Sequence, residues 1–578
     1  MSLADYFAQE LSRLRVTAQA FAQHNPGGAG HLLERGNDPD VERLLEGVAF
    51  LIAGFRARVD QTTNVLAQHL AEISAPHILR SLPAATIVEF SARIKALTRR
   101  HRIEPGKSLE SASIKGTRCT FQTTSHVDLW PIELIDASLE RLGGARSRIS
   151  IDLSLGKHGI LALEEEAPLR FYIHHHSDPT LAPTLLLWLS KHLTRVSMTS
   201  PFGDEQVLPP HAVQLLDPTS FAVFPWPSTS PRGYRSAVEF FALPEKFFFF
   251  ELHGLDKVRI SDTRISLHLD FDETPRLTAE LDKRTFRLHC VPAINLFSTN
   301  AEPIRRDPVS HEYILRAEDI DPRHMEVYDV VSVASHSRRH HERAYSPLTS
   351  GGQGLEREQC IYSLRRERSE TNEGIDTYLS LVDVDTHADT DAPERTTESL
   401  SIELICTNRK LANQLRTGDV HGSSQQALFR SYENITRVSS SATPALDTDV
   451  LWSLASYLGL GTLPPREPDS LRRLLRSFDF VGAEKADRGR LSRRQIDAIT
   501  SLHVRPGTWV LQGAPVRMLI VLLEVDDLAI GGSGAAHLLG MFLNALYGSF
   551  APINTAMQLR MRLTSTATEY SWPVHIGS

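Results

Sequence analysis

The chain has 578 residues, of which 41% are hydrophobic and 23% charged, a composition typical of folded globular proteins. At about 100–200 residues per domain, this length predicts roughly three to five domains. The formal net charge is −8, so the composition gives no indication of the basic surface with which proteins bind nucleic acids. We therefore expect a multidomain protein without a nucleic-acid partner.

Cysteine content and hydropathy indicate a cytoplasmic protein. The cysteines, at positions 119, 290, 360 and 406, lie too far apart for a C-x-x-C zinc ribbon and are too few for a disulfide framework. We expect no signal peptide, because the first residues lack its basic and apolar regions. No apolar run reaches the ~18–20 residues of a membrane helix. The sequence thus predicts that the protein meets a membrane only through its partners.

Residues 1–84 are predicted to form an N-terminal helical region. Apolar side chains recur every three or four residues in two stretches, as on one face of an amphipathic helix. These residues are Phe7, Leu11, Leu14 and Phe21 in the first helix and Val41, Leu45, Val48, Ile52 and Phe55 in the second. A third apolar stretch, Val65 to Ile73, predicts another short helix that ends at Pro76. Three such helices either form a bundle within the chain or pack against helices of another subunit.

Residues 85–300 are predicted to form a β-rich domain, because the spacing of apolar residues changes to two. The clearest case is the alternation from Ile265 to Phe271, which is typical of half-buried strands in antiparallel sheets. The run Phe247–Phe250 predicts a strand buried on both faces, with an interface for a partner as the alternative. Residues 301–440 predict a second β-rich domain with long polar loops.

Residues 441–578 predict a C-terminal domain of mixed α/β structure. The stretches Leu446–Leu460 and Asp469–Phe478 favour helices, and the continuous apolar run Met518–Val525 favours a central strand. A further helix is predicted over Ala535–Tyr547. The whole sequence therefore predicts an α+β multidomain fold with an N-terminal helical bundle, antiparallel β-rich middle domains and a mixed α/β C-terminal domain.

Two patterns of histidine or acidic residues resemble metal sites. His174-His175-His176 lies on a predicted strand, where neighbouring side chains point to opposite faces, so only the first and third could converge. The stretch Asp383 to Glu394 has acidic residues at several positions of a calcium loop, but Ala388 stands where the loop requires glycine. Exposed polar segments account for both patterns, and we expect neither a metal nor a cofactor.

The segment Gly531–Gly534 lies between a predicted strand and a predicted helix. Phosphate-binding loops have this order, but His537 replaces the small residue of the dinucleotide pattern, and no G-K-[ST] is present. The residues favour a helix N-cap at Ser533. A nucleotide-binding protein or an enzyme that uses this loop is the alternative hypothesis, although no catalytic set can be singled out.

A series of short sequence blocks extends along the whole chain. The blocks are Glu10-Leu11-x-x-Leu14-Arg15, Asp38-Pro39-x-Val41-Glu42-Arg43-Leu44-Leu45-Glu46, Pro76-His77, Glu239-Phe240-Phe241-Ala242-Leu243-Pro244-Glu245-Lys246-Phe247, Leu252-x-Gly254-Leu255, Asn295-Leu296-Phe297, Ala301-Glu302-Pro303-Ile304, Tyr328-Asp329-Val330-Val331, Cys406-Thr407-Asn408-Arg409, Gly531-Gly532 and Ile553-Asn554. In this order and at these distances they resemble the TssF family, whose members are wedge subunits of the type VI secretion baseplate.

The chain departs from the family pattern at several points. Ile73-Ser74-Ala75 replaces a Leu-Tyr pair before Pro76-His77, and Ser81 replaces a proline. Thr555-Ala556 replaces an aromatic residue, and Gly459-Leu460-Gly461 replaces a run with asparagine and serine. These departures indicate a divergent branch of the family.

The resemblance implies a structural role without catalytic residues. Subunits of this family pair with each other and with TssG to form wedges around the VgrG spike. The wedges carry TssK and receive TssE and the contractile sheath, in the cytoplasm at the inner-membrane complex. The resemblance also implies that the N-terminal helices pack with helices of TssG, which would give the apolar stripes of residues 7–21 and 41–59, the second of which ends at Val59, a partner.

Overall fold

The computed structural model describes residues 3–24, 39–155, 159–163, 165–175, 178–201, 205–228, 230–258, 262–306, 310, 312–336, 343–348, 358–369, 371–385, 399–423, 429–444, 446–448, 450–452, 454, 464–511 and 513–577. The chain folds as two compact units. The first comprises Met1–Ser74 and Ala445–Ser456, and the second comprises Ala75–Pro444 and Tyr457–Ser578. The predicted division into residues 1–84, 85–300, 301–440 and 441–578 stays a prediction.

Two long helices form most of the first unit: α1 (Leu3–His24) and α2 (Pro39–Ser74). The predicted break between a second and a third helix is wrong, because α2 continues for 36 residues. Between Phe55 and Pro76 the sequence contains no proline or glycine. No residue in this stretch therefore removes a backbone hydrogen bond and ends the helix.

The second unit contains both helices and strands. Its described helices are α3 (Gly159–Leu163), α4 (Leu181–Lys191), α5 (Arg232–Ala242), α6 (Pro468–Phe478), α7 (Phe480–Glu484), α8 (Ala486–Asp497), α9 (Asp527–Ile530) and α10 (Ser533–Ser549). The first half of its strands are β1 (Ala85–Ala92), β2 (His101–Ile103), β3 (Ser108–Ile114), β4 (Thr117–Thr123), β5 (Val127–Leu129), β6 (Ile132–Gly143), β7 (Arg146–Leu155), β8 (Leu169–Ile173), β9 (Leu193–Thr199), β10 (Gln206–Leu208), β11 (Val213–Leu215), β12 (Phe249–Leu252), β13 (Arg264–Phe271), β14 (Phe286–Arg287) and β15 (Cys290–Ile294). The second half are β16 (Phe297–Asn300), β17 (Ile304–Arg305), β18 (Glu312–Ile314), β19 (Glu326–His336), β20 (Arg343–Pro347), β21 (Glu358–Arg368), β22 (Ile375–Asp385), β23 (Ser399–Thr407), β24 (His421–Ser423), β25 (Phe429–Asn434), β26 (Ile499–Leu511), β27 (Ala514–Val525), β28 (Thr555–Leu563), β29 (Glu569–Ser571) and β30 (His575–Ile576).

These strands form sheets that are mostly antiparallel, as predicted. One sheet has the order β24-β25-β1-β15-β4-β3, a second β10-β9-β13-β7-β6 and a third β11-β12-β8-β14, and β2 pairs with β5. A larger sheet has the order β16-β23-β19-β20-β21-β22-β18, with β17 also on β23. In that sheet β20 and β21 run parallel, which the alternation of residues did not predict. The α+β fold class is otherwise confirmed.

The C-terminal sheet combines both strand directions. Strand β27 pairs antiparallel with β26 and parallel with β28, so the predicted central strand Met518–Val525 is confirmed. Helix α10 connects the parallel strands, as a crossover requires. The predicted cap at Ser533 is wrong. Ser533 is the first helical residue, and Gly532 precedes it at φ 105° with Gly531 at φ 108°, a backbone region that glycine adopts readily.

A buried ion pair fixes the end of α5. Glu239 is 0% exposed, and its partner Lys246 is 3% exposed in the single helical turn Pro244–Phe247. The other oxygen, Oε1, accepts hydrogen bonds from the backbone N–H of Val223 at 2.9 Å and from Trp226 Nε1 at 2.8 Å. This carboxylate therefore holds a loop and a helical turn together, and its own charge is compensated.

The phenylalanine run that follows is buried throughout. Phe247, Phe248, Phe249 and Phe250 are all between 0% and 4% exposed. Phe250 lies on strand β12 and stacks on Phe171 of β8, with ring centroids 5.0 Å apart. The predicted burial is confirmed for all four residues, but the strand begins only at Phe249, because Phe247 ends the helical turn Pro244–Phe247. The buried run therefore offers no interface for a partner.

Two buried asparagines join the sheets that contain β15 and β23. Asn408 donates its backbone N–H to Oδ1 of Asn295 at 2.8 Å, and Asn295 Nδ2 donates to Oδ1 of Asn408 at 2.7 Å. The next residue, Arg409, has φ 50° and donates to the carbonyl of Glu373 at 2.9 Å and to Asp376 at 2.8 Å. The block that begins at Cys406 is therefore a polar junction inside the fold.

Replacement of Glu239 should destabilise the second unit strongly. In Glu239→Gln, the ammonium of Lys246 stays buried without its counter-charge, which costs about 3–5 kcal/mol. The exposed pair of Glu110 and Arg118, 58% and 66% exposed, provides a control, because Glu110→Gln should cost only about 0–1 kcal/mol. Urea unfolding followed by circular dichroism measures both values, and similar losses for the two variants would contradict the assignment.

Burial of His77 should make the second unit less stable in mild acid. Desolvation, together with Arg80 and Arg235, lowers the pKa of His77 from 6.5 to about 4. The unfolded chain therefore binds a proton at a higher pH than the folded chain, and stability is lost as the pH falls from about 6.5 to 4. His289 and His537 act in the same direction, since burial lowers their pKa values to about 4 and about 3.

Between pH 7 and 4, the free energy of unfolding should fall by roughly 2–3 kcal/mol less in His77→Phe than in the wild type. A shift of one pKa unit corresponds to about 1.4 kcal/mol. Urea midpoints measured across this range test the expectation. Tyr234→Phe is the control, since the ring of Tyr234 packs on His77 at 5.0 Å but does not take up a proton in this range. An unchanged pH dependence in His77→Phe would refute the role of this histidine.

Candidate interaction surface on the N-terminal helices

Helices α1 and α2 pack together through small side chains. The fully buried residues on these helices are largely alanines, namely Ala22, Ala49, Ala53, Ala67 and Ala71, each between 0% and 4% exposed. Alanine lets two helix backbones approach closely but removes little apolar area from water. The fully buried positions of α2 therefore contribute little hydrophobic stabilisation.

Ion pairs supplement this small contact. Glu10 of α1 is buried and accepts a hydrogen bond from the guanidinium of Arg56 on α2. Arg15 of α1 donates to Glu42 of α2 at 2.8 Å. Both pairs cross from one helix to the other, so they set the register of α1 along α2.

Large apolar side chains lie on the opposite face of α2. On this face, those exposed by 41–73% are Leu44, Val48, Leu51, Phe55, Val59, Leu66, Leu70 and Ile73, while Phe50, 56% exposed, lies off this face. Their spacings are three, four or seven residues, so at about 100° per residue they form one continuous stripe, which we call the α2 stripe. An exposed apolar surface of this length is typical of a site where another protein binds.

Neighbouring segments carry further exposed apolar residues. On α1, Val16 is 65% and Phe21 57% exposed. Residues 448, 450–452 and 454, which belong to the same unit, are helical, and there Val450 is 38% and Trp452 45% exposed. The rest of this predicted helix, residues 455–460, lies outside the described part of the chain.

The residues that the sequence predicts for the interface differ in their exposure to solvent. Phe21, Val48 and Phe55 are exposed, at 57%, 45% and 71%. Five others are partly buried, namely Phe7, Leu11, Leu14, Leu45 and Ile52, and the surroundings of Val41 lie outside the described residues. The use of these side chains in an interface stays a prediction.

Leu44 and Leu51 are prominent members of the α2 stripe that the sequence pattern missed. Each precedes a predicted residue, Leu45 or Ile52, so two apolar patterns with the same spacing overlap along the helix. The alanines at 49 and 53 are the signal that could have separated them, because the larger residues lie on the side away from these alanines.

The two sequence patterns that resemble metal sites, at residues 174–176 and 383–394, do not form a described cluster of metal ligands. His174 and His175 follow the end of β8, and His176 lies outside the described residues, as does most of the acidic stretch 383–394. Across the described ranges, no group of three or more histidine, cysteine, aspartate or glutamate side chains is placed to hold a metal ion. Among the described helices, none has the length and apolar character to cross a membrane.

Helix packing accounts for a glycine of the loop 531–534. A Cβ atom on Gly534 would lie 2.6 Å from the backbone nitrogen of Thr184 in α4, so only glycine fits there. Gly531 and Gly532 form the turn between α9 and α10. These contacts explain the glycines without a nucleotide.

A helix pair that buries alanine and exposes leucine and phenylalanine defines a subunit of a larger assembly. Comparison with known proteins agrees with this class. The profile of the family described as "Type VI secretion system, TssF" matches residues 1–578. The type VI secretion system component TssF1 of Pseudomonas aeruginosa strain PAO1 is 28% identical over 648 residues, which cover 100% of this chain and 99% of the relative. The chain therefore belongs to the TssF family.

Solved structures show the same fold. A chain in the type VI secretion system TssK-TssF-TssG baseplate subcomplex has a TM-score of 0.76 and 23% identity, and the match covers 92% of this chain and 98% of that chain. A chain in the baseplate complex from the type VI secretion system has a TM-score of 0.61 and 20% identity, with full coverage of both chains. The protein thus has the fold of a type VI baseplate subunit.

A charge on the α2 stripe should leave the isolated chain folded. Phe55→Glu places a carboxylate on an exposed position, so we expect the free energy of unfolding to change by less than about 0.5 kcal/mol. Ala53→Glu, only two residues away, places the same group on a position that is 0% exposed and should cost several times more. Urea unfolding of the two variants separates the faces, and equal losses would show that Phe55 is packed within the chain.

Proposed function

We propose that this chain is a structural subunit of a type VI secretion baseplate and acts by assembly rather than by catalysis. The observation that supports this proposal is the α2 stripe, which extends from Leu44 to Ile73. Each large apolar side chain that becomes buried in an interface contributes roughly 1.5–3 kcal/mol, before the costs of association are subtracted. Eight such side chains on one helix face therefore favour a stable helical partner.

The proposed partner of this stripe is TssG. The structure with the same fold is described as a complex of TssK, TssF and TssG. Helices of TssG that present leucine or phenylalanine every three or four residues would pack into the stripe by knobs-into-holes contacts. A second copy of this chain would share the same TssG subunit through its own stripe.

The wider assembly that we propose contains TssK, TssE, the VgrG spike and the sheath. The chain would form wedges with TssG and a second copy of itself around the spike and beneath the sheath. The complex would lie in the cytoplasm and reach the inner-membrane complex through TssK, so that this chain meets the membrane only indirectly.

Co-expression with TssG tests the role of the α2 stripe. The wild-type chain should co-purify with TssG. Leu51→Asp and Phe55→Asp should each abolish that complex, because they place an unpaired charge in an apolar seam. Leu45→Asp tests the partly buried position that the sequence pattern favours, and it should weaken both the helix pair and the complex.

Val207→Asp is the matched control for these variants. Val207 is an exposed apolar residue of β10, 59% exposed, and it belongs to the second unit. The control should retain TssG at the wild-type level in size-exclusion chromatography. If Leu51→Asp and Phe55→Asp remain folded and still retain TssG, the stripe is not the binding surface.

A further inference from the structure

A large cleft lies in the second unit. Its volume is about 530 Å³, within the roughly 300–1,000 Å³ that is typical of ligand-binding clefts. One side is formed by the beginning of α4 and the end of α5, and another by α8 together with α9 and α10. The proposed role of α1 and α2 leaves this cleft without a function.

The cleft has an apolar floor and apolar edges. Phe241 of α5 and Leu538 of α10 line its interior and are buried, at 7% and 5% exposed. Leu491 of α8 and Leu528 of α9 also line it, but they are 56% and 75% exposed. Two exposed leucines beside a buried phenylalanine form an apolar surface that extends from the cleft toward solvent.

The charges of the cleft are predominantly positive. Arg488 and Arg494 of α8 both line it. Within the described ranges, the ion pairs that involve α8 join Arg490 to Asp487 and Arg476 of α6 to Asp497, and Arg494 forms no ion pair with a carboxylate there. Arg488 interacts electrostatically with the buried carboxylate of Asp479, so Arg494 is the less compensated of the two charges. The lining contains one carboxylate, Glu245 of the turn Pro244–Phe247, and one imidazole, His175, neither of which belongs to α8.

We propose that this cleft binds a segment of a partner protein in which bulky apolar side chains are flanked by aspartate or glutamate. The apolar side chains would fill the cleft over Phe241 and Leu538 and cover Leu491 and Leu528. The acidic side chains would form paired hydrogen bonds with Arg488 and Arg494, since a guanidinium matches the geometry of a carboxylate. Glu245 would repel carboxylates, so the acidic end of the segment lies along α8.

Fluorescence anisotropy of the full-length chain with a synthetic peptide tests this proposal. The probe is a fluorescein-labelled peptide with a Leu-Trp-Leu core flanked by glutamates, and a matched peptide carries lysines in place of the glutamates. The wild-type chain should bind the glutamate peptide more tightly than the lysine peptide. Arg494→Glu should lower the affinity for the glutamate peptide about tenfold or more and raise the affinity for the lysine peptide.

Arg493→Glu is the matched control. Arg493 is the neighbouring residue on α8, is exposed, and does not line the cleft, so its reversal should leave both peptides close to wild-type affinity. Leu528→Asp should lower the affinity for the glutamate peptide, because it removes apolar contact and adds negative charge. The affinity for the lysine peptide should not rise, because the same apolar contact is lost.

Three results would overturn the proposal. These are no binding of the glutamate peptide, equal binding of both peptides by the wild-type chain, or the same effect from Arg493→Glu and Arg494→Glu. The arginine variants should still co-purify with TssG, because the cleft and the α2 stripe belong to different units. Loss of TssG binding would therefore contradict the proposed function, whereas loss of peptide binding would contradict only the role of the cleft.

Discussion

The buried carboxylate of Glu239 is the constraint on which the centre of the second unit depends. A charge with no exposed surface is tolerated only when an opposite charge and further hydrogen bonds replace water. Lys246 supplies the charge, and the loop at Val223–Trp226 supplies the donors. The same helix, α5, lies so close to α10 that a Cβ atom on Gly233 would lie 2.5 Å from the Cα atom of Leu546. One ion pair thus holds the end of the helix against which α10 packs.

Four of the blocks that resemble the TssF family contain buried residues at junctions of this kind. Glu239 and Lys246 pair within one block, whereas Asn295 and Asn408, which belong to two others, join positions 113 residues apart. His77 belongs to another and packs between aromatic rings. Buried polar groups tolerate few substitutions, because a lost partner leaves an unsatisfied group. The resemblance therefore identifies the fold well, whereas it says less about surfaces.

Periodicity predicted the strands and the long helices, but not the details that depend on tertiary contacts. Alternation identified β13, and the apolar run identified the centre of β27, because burial on one face or two leaves a direct trace in the sequence. A helix break before Val65 was wrong, since an apolar gap does not end a helix without a breaker. The face of α2 could not be chosen either, because Leu44 and Leu45 are both apolar and only the packing of α1 separates them.

The first unit inverts the usual distribution of side chains, and this inversion has a consequence for assembly. Its helices bury alanine and a few ion pairs, while leucine, valine and phenylalanine of the α2 stripe remain in water. Most of the hydrophobic free energy that this helix can provide is therefore available only on binding. A partner that covers the stripe stabilises the folded helices by mass action, and their stability then depends on the partner's concentration. In the proposed baseplate, the same apolar area that holds the subunits together also completes the folding of the first unit.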